Sequence, residues 1–244
     1  MYKDPIPMKK HRSESDAIRL AGNMKLADLL DLNPNLLGVL TRVGLRFGFG
    51  DETVEEACRK KGINPQTFLL ICKVYTFTGY MPSSDALRTA DLRDIVTYLH
   101  SSHADYMDNA LQELAGQIDR MLEPCDERYK KVIWRFFSAY KEELSEHFRY
   151  EEEVVFPYVQ SVLDHVGDKG FTITQYEENH TNVEEKLGDL KNIIMKYLPQ
   201  ECDDRQVSEI LFKLYLLEMD LEKHTSIEDD ILVPMVNRLE EHEK

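Results

Sequence analysis

Several features that mark common protein classes are scarce or missing in this sequence. The most apolar run, residues 68–81 (FLLICKVYTFTGYM), is too short for a bilayer and contains a lysine, so a membrane span is not expected. Positively charged residues are fewer than negatively charged ones: the sequence has 30 Lys and Arg and 45 Asp and Glu, which gives a formal net charge of −15. A chain this acidic repels phosphate backbones and anionic lipids, so neither nucleic acid nor a membrane is an expected partner.

Cysteine is also scarce, and its spacing forms no redox or zinc motif. The four residues are Cys58, Cys72, Cys125 and Cys202. None forms a Cys-x-x-Cys pair, and none has a zinc-type spacing to a histidine. The first residues, MYKDPIPMKKHRSES, lack the apolar stretch of a secretory signal. These absences predict a reduced, cytoplasmic protein with free thiols.

Alternation of polar and apolar residues is missing too, so β-strands are not expected. Apolar residues instead recur at three-and-four spacing in four long segments, approximately residues 92–122, 128–166, 174–197 and 204–240. Short turns separate these segments. The pattern predicts an all-α fold whose main part, residues 92–244, is an antiparallel four-helix bundle.

A smaller helical region precedes the predicted bundle. The sequence divides there into a polar lead, a small helical domain and a linker rich in Gly, Pro and Ser: residues 1–23, 24–80 and 81–91. Inside the small domain, the pairs Asn33-Pro34 and Asn64-Pro65 are typical helix starts, with Asn as N-cap and Pro at the first helical position. Gly62 is a typical residue for a helix end.

One sequence pattern occurs twice, in the second and fourth predicted bundle helices. EHFRYEEEVVFPYV spans residues 146–159, and KHTSIEDDILVPMV spans residues 223–236. Each reads His, three residues, Glu, two further acids, three apolar residues and Pro. The repeat indicates two similar helical hairpins related by a pseudo-two-fold axis.

The repeated His and Glu residues predict a metal centre inside the bundle. His147 and Glu151 are four residues apart and share a helix face, as do His224 and Glu228, and both faces are apolar. A lone buried carboxylate is costly unless it is paired or binds a metal. Two buried His–Glu pairs therefore predict two metal ions, and imidazole with carboxylate favours iron over zinc-thiolate chemistry.

Further ligands have to come from the first and third bundle helices. The first offers His100 and His103 in TYLHSSHADY, and the third offers His180 in EENHTNVEE. Glu184, four residues after His180, is either a further carboxylate ligand or a surface acid. The acids that follow each repeated Glu are interpreted as solvated faces: Glu152, Glu153, Asp229 and Asp230.

The order of these residues resembles the hemerythrin-like (HHE cation-binding) family. The continuations EEEVVFP and EDDILVP are similar to those of that family. Residues 44–63, GLRFGFGDETVEEACRKKGI, resemble the small domain that precedes the bundle in repair-of-iron-centres proteins. Together the two resemblances extend over about residues 24–240.

The resemblance implies two non-haem iron ions, bridged by Glu151, Glu228 and an oxo or hydroxo group. His103 would then lie beside the ligands or line a substrate channel. Glu184 departs from the family pattern, since oxygen-carrying hemerythrins have a second histidine on that helix, and it is either a third carboxylate ligand or a surface acid. The terminal ligands that the resemblance implies are His100, His147, His180 and His224.

A centre of this kind implies chemistry with NO, O₂ or peroxide, or repair of iron–sulfur clusters under nitrosative or oxidative stress. An iron–sulfur client or a redox protein would be the partner.

One departure weakens the resemblance, since the adjacent Cys-Cys of the family's small domain is missing from RFGFGDE, residues 46–52. An O₂ or NO sensor or carrier without turnover is therefore the alternative. Enzymatic activity, and a homodimer through the exposed face of the N-terminal domain, stay open.

Overall fold

The computed structural model describes residues 19–165, 171–179 and 185–242. Within these ranges the chain is helical, and its β-structure is limited to one isolated bridge between Lys25 and Thr53. The all-α fold is therefore confirmed. None of the described helices combines the length and the apolar character that crossing a bilayer requires.

Five short helices form the N-terminal part of the described chain: α1 (Leu26–Leu32), α2 (Leu36–Arg42), α3 (Val54–Lys61), α4 (Pro65–Thr76) and α5 (Ser84–Thr89). As predicted, Asn64 caps α4, and its side chain accepts the N–H of Gln66 at 2.8 Å. Gly62 ends α3 with a left-handed φ of 72°, also as predicted. The start of α2 lies two residues after the predicted Pro34, because a turn precedes Leu36. Helix α5 lies inside the segment interpreted as a linker.

Four long helical rods follow, which we call bundle helices 1 to 4. Bundle helix 1 consists of α6 (Leu92–Ala104), a π-helical turn (Asp105–Ala110) and α7 (Leu111–Leu122). Bundle helix 2 consists of α8 (Glu127–Tyr150), a π-helical turn (Glu151–Val155) and α9 (Phe156–Leu163). Bundle helix 3 contains α10 (Ile173–Asn179) and α11 (Glu185–Tyr197). Bundle helix 4 consists of α12 (Asp204–Ile227), a π-helical turn (Glu228–Leu232) and α13 (Val233–His242).

The sequence repeat is also a structural repeat. In bundle helices 2 and 4 the π-helical turn begins at the repeated glutamate, Glu151 or Glu228. The repeated proline, Pro157 or Pro234, follows as the second residue of the next α-helix. Proline lacks an N–H group and its ring clashes with the carbonyl four residues earlier, so the wider π-turn makes room for it. The turn also sets the direction in which each glutamate points.

The bundle helices pack as a closed ring in which 1 contacts 2, 2 contacts 3, 3 contacts 4 and 4 contacts 1. This arrangement confirms the predicted helical bundle. Two apolar cores fill it. One lies between α7, α8, α11 and α12. The other includes the N-terminal helices together with α6, α9, α10 and α13, so these helices share a core with one end of the bundle.

Arg42, at the end of α2, joins the N-terminal helices to the bundle. Its guanidinium is only 5% exposed and forms ion pairs with Asp105 of bundle helix 1 and Asp220 of bundle helix 4. It also donates to three hydroxyl groups, those of Tyr75, Tyr98 and Tyr106. Asp220 lies one helical turn before the repeated His224, so this contact fixes the N-terminal helices close to the predicted metal centre.

Candidate metal site

Four buried side chains from three bundle helices converge between the two apolar cores. They are His103 from bundle helix 1, Glu151 from bundle helix 2, and His224 and Glu228 from bundle helix 4. None is more than 4% exposed. One nitrogen or oxygen atom from each residue lies within 4.8 Å of those of the other three. The arrangement therefore has the dimensions of a metal-binding group.

The ring nitrogens of the two histidines point at each other and at the carboxylates. His103 Nε2 lies 3.2 Å from Glu151 Oε2 and 3.1 Å from His224 Nε2. His224 Nε2 lies 3.1 Å from Glu228 Oε1. The atoms that face the centre are thus imidazole nitrogens and carboxylate oxygens, which are ligands for first-row metal ions.

His147 lies at the edge of the same group. Its Nε2 is 3.1 Å from Glu151 Oε1, and its side chain is 9% exposed. Both repeated His–Glu pairs therefore face the bundle interior, as the apolar faces of their helices predict. Glu151 is shared, because His147 approaches one of its oxygens and His103 approaches the other.

The structure places His103, and not His100, in the buried group. His100 is 65% exposed, and its Nδ1 lies 2.8 Å from Glu152 on the outer side of the site. The two residues are three positions apart on α6 and lie near the same face, but only His103 is buried against the interior. The resemblance implies His100 as a ligand with His103 beside the ligands, and the structure differs in placing His103 in the group. His180 and Glu184, the remaining candidates, lie outside the described residues.

Two side chains that sequence reasoning did not assign to the site hold its members in place. Glu152 accepts a hydrogen bond from His103 Nδ1 at 2.7 Å, so the opposite ring nitrogen faces the group. The Tyr176 hydroxyl, on α10, donates to Glu151 Oε1 at 2.7 Å. Partners of this kind orient ligating imidazoles and carboxylates in metal sites. Glu152 is half-buried rather than part of a fully solvated face.

Aromatic rings separate the group from solvent. The His103 ring stacks on Phe148 with centroids 4.0 Å apart, and on Phe156 at 5.5 Å. The Tyr106 ring stands edge-on to His224 at 5.6 Å. These contacts exclude water from one side of the site and hold the two imidazoles in fixed orientations, which lowers the entropic cost of arranging them as ligands.

The two buried histidines have opposite protonation behaviour. Burial lowers the pKa of His103, but its hydrogen bonds to Glu151 and Glu152 outweigh burial and raise the pKa to about 9. Burial, and then the nearby charge of His103, lowers the pKa of His224 to about 3. At neutral pH, His224 thus presents a neutral imidazole with a free electron pair on one nitrogen.

The residues fit a metal ion by their chemistry as well as by their distances. Two fully buried carboxylates, Glu151 and Glu228, lie in a space enclosed by apolar and aromatic side chains. Burying such charge is costly unless cations balance it. Among the four residues, His103 is the charged imidazole and His224 is neutral. A divalent cation would add positive charge beside both carboxylates and use the nitrogens and oxygens that already converge.

A four-helix bundle with a buried group of histidines and glutamates belongs to the class of bundle metal-binding proteins. A comparison with protein families assigns the chain more closely. The model of the hemerythrin HHE cation binding domain matches residues 92–236, and the chain belongs to this family. The match begins at bundle helix 1, so helices α1 to α5 lie outside it. No curated protein gives a significant match.

Proposed function

We propose that this chain is a non-haem di-iron protein that binds NO, O₂ or peroxide at the buried His/Glu group. The observation that carries the proposal is the convergence of His103, His224, Glu151 and Glu228 within 4.8 Å, all of them buried. The family match supports cation binding by the same bundle. Imidazole and carboxylate ligands support iron.

In this proposal the glutamates and histidines of the group would together hold the two ions. Glu151 is suited to contribute both of its oxygens, because they face different histidines, His147 and His103. The Nε2 atom of His224 faces one oxygen of Glu228, Oε1. His103 replaces His100 as the ligand from bundle helix 1, because only His103 faces the group. His180 is proposed as the ligand from bundle helix 3 on its sequence position alone.

Two iron ions would supply a redox-active pair that binds small diatomic or peroxidic molecules. The chain itself would do three things. Glu152 would hold the His103 ring, and Tyr176 would donate a hydrogen bond to Glu151 and so limit its rotation. Phe148 and Phe156 would keep bulk water from the His103 side of the site.

We further propose that the protein acts in the response to nitrosative or oxidative stress, including the repair of iron–sulfur clusters in the cytoplasm. Its support is the resemblance of residues 44–63 to the small domain of repair-of-iron-centres proteins. The lack of the adjacent Cys-Cys in that segment favours the second candidate, a sensor or carrier of O₂ or NO without turnover. Both candidates need the same metal site and differ in whether the bound molecule is converted.

The test begins with protein purified without air, with iron content and visible absorption measured for wild type, His147→Ala and Glu228→Ala. Glu153→Ala is the matched control, because Glu153 is an exposed acid on the same π-helical turn as Glu151. We expect about two irons per chain in wild type and control, and loss of iron and absorption in the other two variants. Equal iron in all four proteins would refute the site.

Turnover separates the two candidate functions. Wild-type protein loaded with iron would be mixed with NO or peroxide, first at one equivalent and then in excess with a chemical reductant. Continuous consumption beyond one equivalent would establish catalysis. A spectral change that saturates at one equivalent, without consumption, would establish a binding module.

A further inference from the structure

Two cysteines outside the metal site contact each other at the end of the bundle that lies away from the N-terminal helices. Cys125 lies in the turn between α7 and α8, and Cys202 lies in the turn between α11 and α12. Their sulfur atoms are 2.7 Å apart, and the residues are 6% and 7% exposed. The turns hold both backbones, since Cys125 N–H donates to Leu122 and Cys202 N–H donates to Pro199.

This contact belongs to the same internal repeat as the metal site. Cys125 and Cys202 are 77 residues apart, as are the paired residues His147 and His224. Each cysteine stands directly before the aspartate that caps the next helix, in CDER at residues 125–128 and CDDR at residues 202–205. Residues related by a pseudo-two-fold axis meet each other only where they lie close to that axis. The cysteine pair therefore lies near the axis, at the end of the bundle.

The position is separate from the metal site. Helix α8 runs from Glu127 to Tyr150, so Cys125 lies about 36 Å along the bundle from Glu151 at the rise of an α-helix. The pair joins the hairpin of bundle helices 1 and 2 to the hairpin of bundle helices 3 and 4. The metal ligands join the same hairpins at a point closer to the N-terminal helices.

We propose that Cys125 and Cys202 form a reversible intramolecular disulfide that links the two hairpins under oxidising conditions. With a small disulfide such as oxidised glutathione, one cysteine thiolate attacks a sulfur atom, breaks the S–S bond and releases one glutathione thiol. The second cysteine thiolate then attacks the mixed disulfide and releases the other. The protein loses two electrons and two protons, and the small disulfide is reduced to two thiols.

The surroundings of the pair determine how fast it reacts. Burial, together with the contact to the Cys125 thiol, raises the pKa of Cys202 to about 12. Each cysteine is the attacking thiolate in one of the two steps, so the step in which Cys202 attacks is slow at neutral pH, and the disulfide forms under sustained oxidation rather than during a brief pulse. Once formed, the bond closes a long loop between residues 125 and 202, which restricts the unfolded chain. We expect the melting temperature to rise by about 10 °C.

The test uses native, metal-loaded protein incubated in glutathione redox buffers, blocked with a thiol reagent and digested with trypsin. Mass spectrometry would look for Met121–Arg128 joined to Tyr197–Arg205, the tryptic peptides of the two cysteines. Cys58 and Cys72, in peptides of their own, are internal controls, because both are buried in the N-terminal helices and should stay reduced.

We expect the linked peptide to appear with oxidation and disappear with dithiothreitol, and the melting temperature of wild type to follow it. Cys125→Ser should show neither change while keeping its iron content. The proposal is overturned if Cys125 and Cys202 stay reduced in the folded protein, if they link only between chains, or if the link leaves the melting temperature unchanged. Iron content is measured in parallel, so failure of the disulfide is distinguishable from failure of the metal site.

Discussion

Replacing Arg42 should destabilise the protein strongly, because this side chain links the N-terminal helices to two bundle helices beside the apolar core that they share. The guanidinium is 5% exposed and pairs with Asp105 and Asp220, which lie on two different bundle helices. It also lies over the Tyr106 ring, 4.6 Å from the centroid. Arg42→Ala would leave two carboxylates facing each other without the cation between them.

The magnitude follows from the burial of the three charged groups. Removing one partner of a buried ion pair costs about 3–5 kcal/mol, because the remaining charge keeps its desolvation penalty. Here Asp105 and Asp220 are 34% and 24% exposed, so water reduces that penalty. Asp220 also keeps a hydrogen bond from the Tyr75 hydroxyl at 2.5 Å. We therefore expect a loss of about 3 kcal/mol, at the lower end of that range.

Thermal unfolding of metal-free protein measures this loss without a contribution from bound metal. A loss of about 3 kcal/mol lowers the melting temperature of a domain of this size by roughly 6–12 °C. Arg59→Ala is the control, because Arg59 is 70% exposed and pairs with Glu55 within one helix. Its expected effect is below about 0.5 kcal/mol. Similar melting temperatures for the two variants would contradict the assigned role of Arg42.

Three further predictions concern the metal site. Tyr176→Phe removes the hydroxyl that donates to Glu151 and should weaken metal binding about tenfold in a competition titration with a chelator, whereas Tyr150→Phe, a change at an exposed tyrosine, should not. Because His103 keeps its proton up to about pH 9 in the metal-free protein, metal binding must release that proton. Affinity should therefore rise with pH and level off above pH 9, and a pH-independent affinity would contradict this. Removing the metal should lower the melting temperature, since a ligand of the native state stabilises it.

The spacing of apolar residues and the internal repeat were sufficient to predict the helical bundle and the inward orientation of the two His–Glu pairs. Spacing of three and four predicts helix faces reliably over segments of twenty or more residues, and bundle helices 1 to 4 lie close to the predicted bounds. The repeat predicts that His147 and His224, with their glutamates, face the same interior. The structure places both pairs there.

The choice between His100 and His103 could have been made from the repeat itself. His103 is 77 residues before His180, the same spacing that relates His147 to His224. At that spacing His100 is matched by Glu177, which is not a histidine. Spacing along a single helix does not separate two histidines three residues apart, since both lie near the same face. The pseudo-symmetry of the two hairpins does separate them.

Other contacts of the site follow from packing that a linear pattern does not show. Arg42 and Asp220 are 178 positions apart in the sequence, and neither belongs to a motif. Tyr176 reaches Glu151 from α10, a different bundle helix that packs on α13, and no spacing along the sequence indicates that contact. The turn itself depends on a proline six residues after the glutamate, so its cause is visible in the sequence, but the direction that it gives to Glu151 is not.

The most direct test of the account is the metal content of His103→Ala beside His100→Ala, each purified without air and compared with wild type. The two variants remove the same side chain from the same helix, three residues apart. We predict that His100→Ala keeps the wild-type iron content and that His103→Ala loses at least half of it. Iron retained in His103→Ala and lost in His100→Ala would contradict the proposal that the buried group is the metal centre.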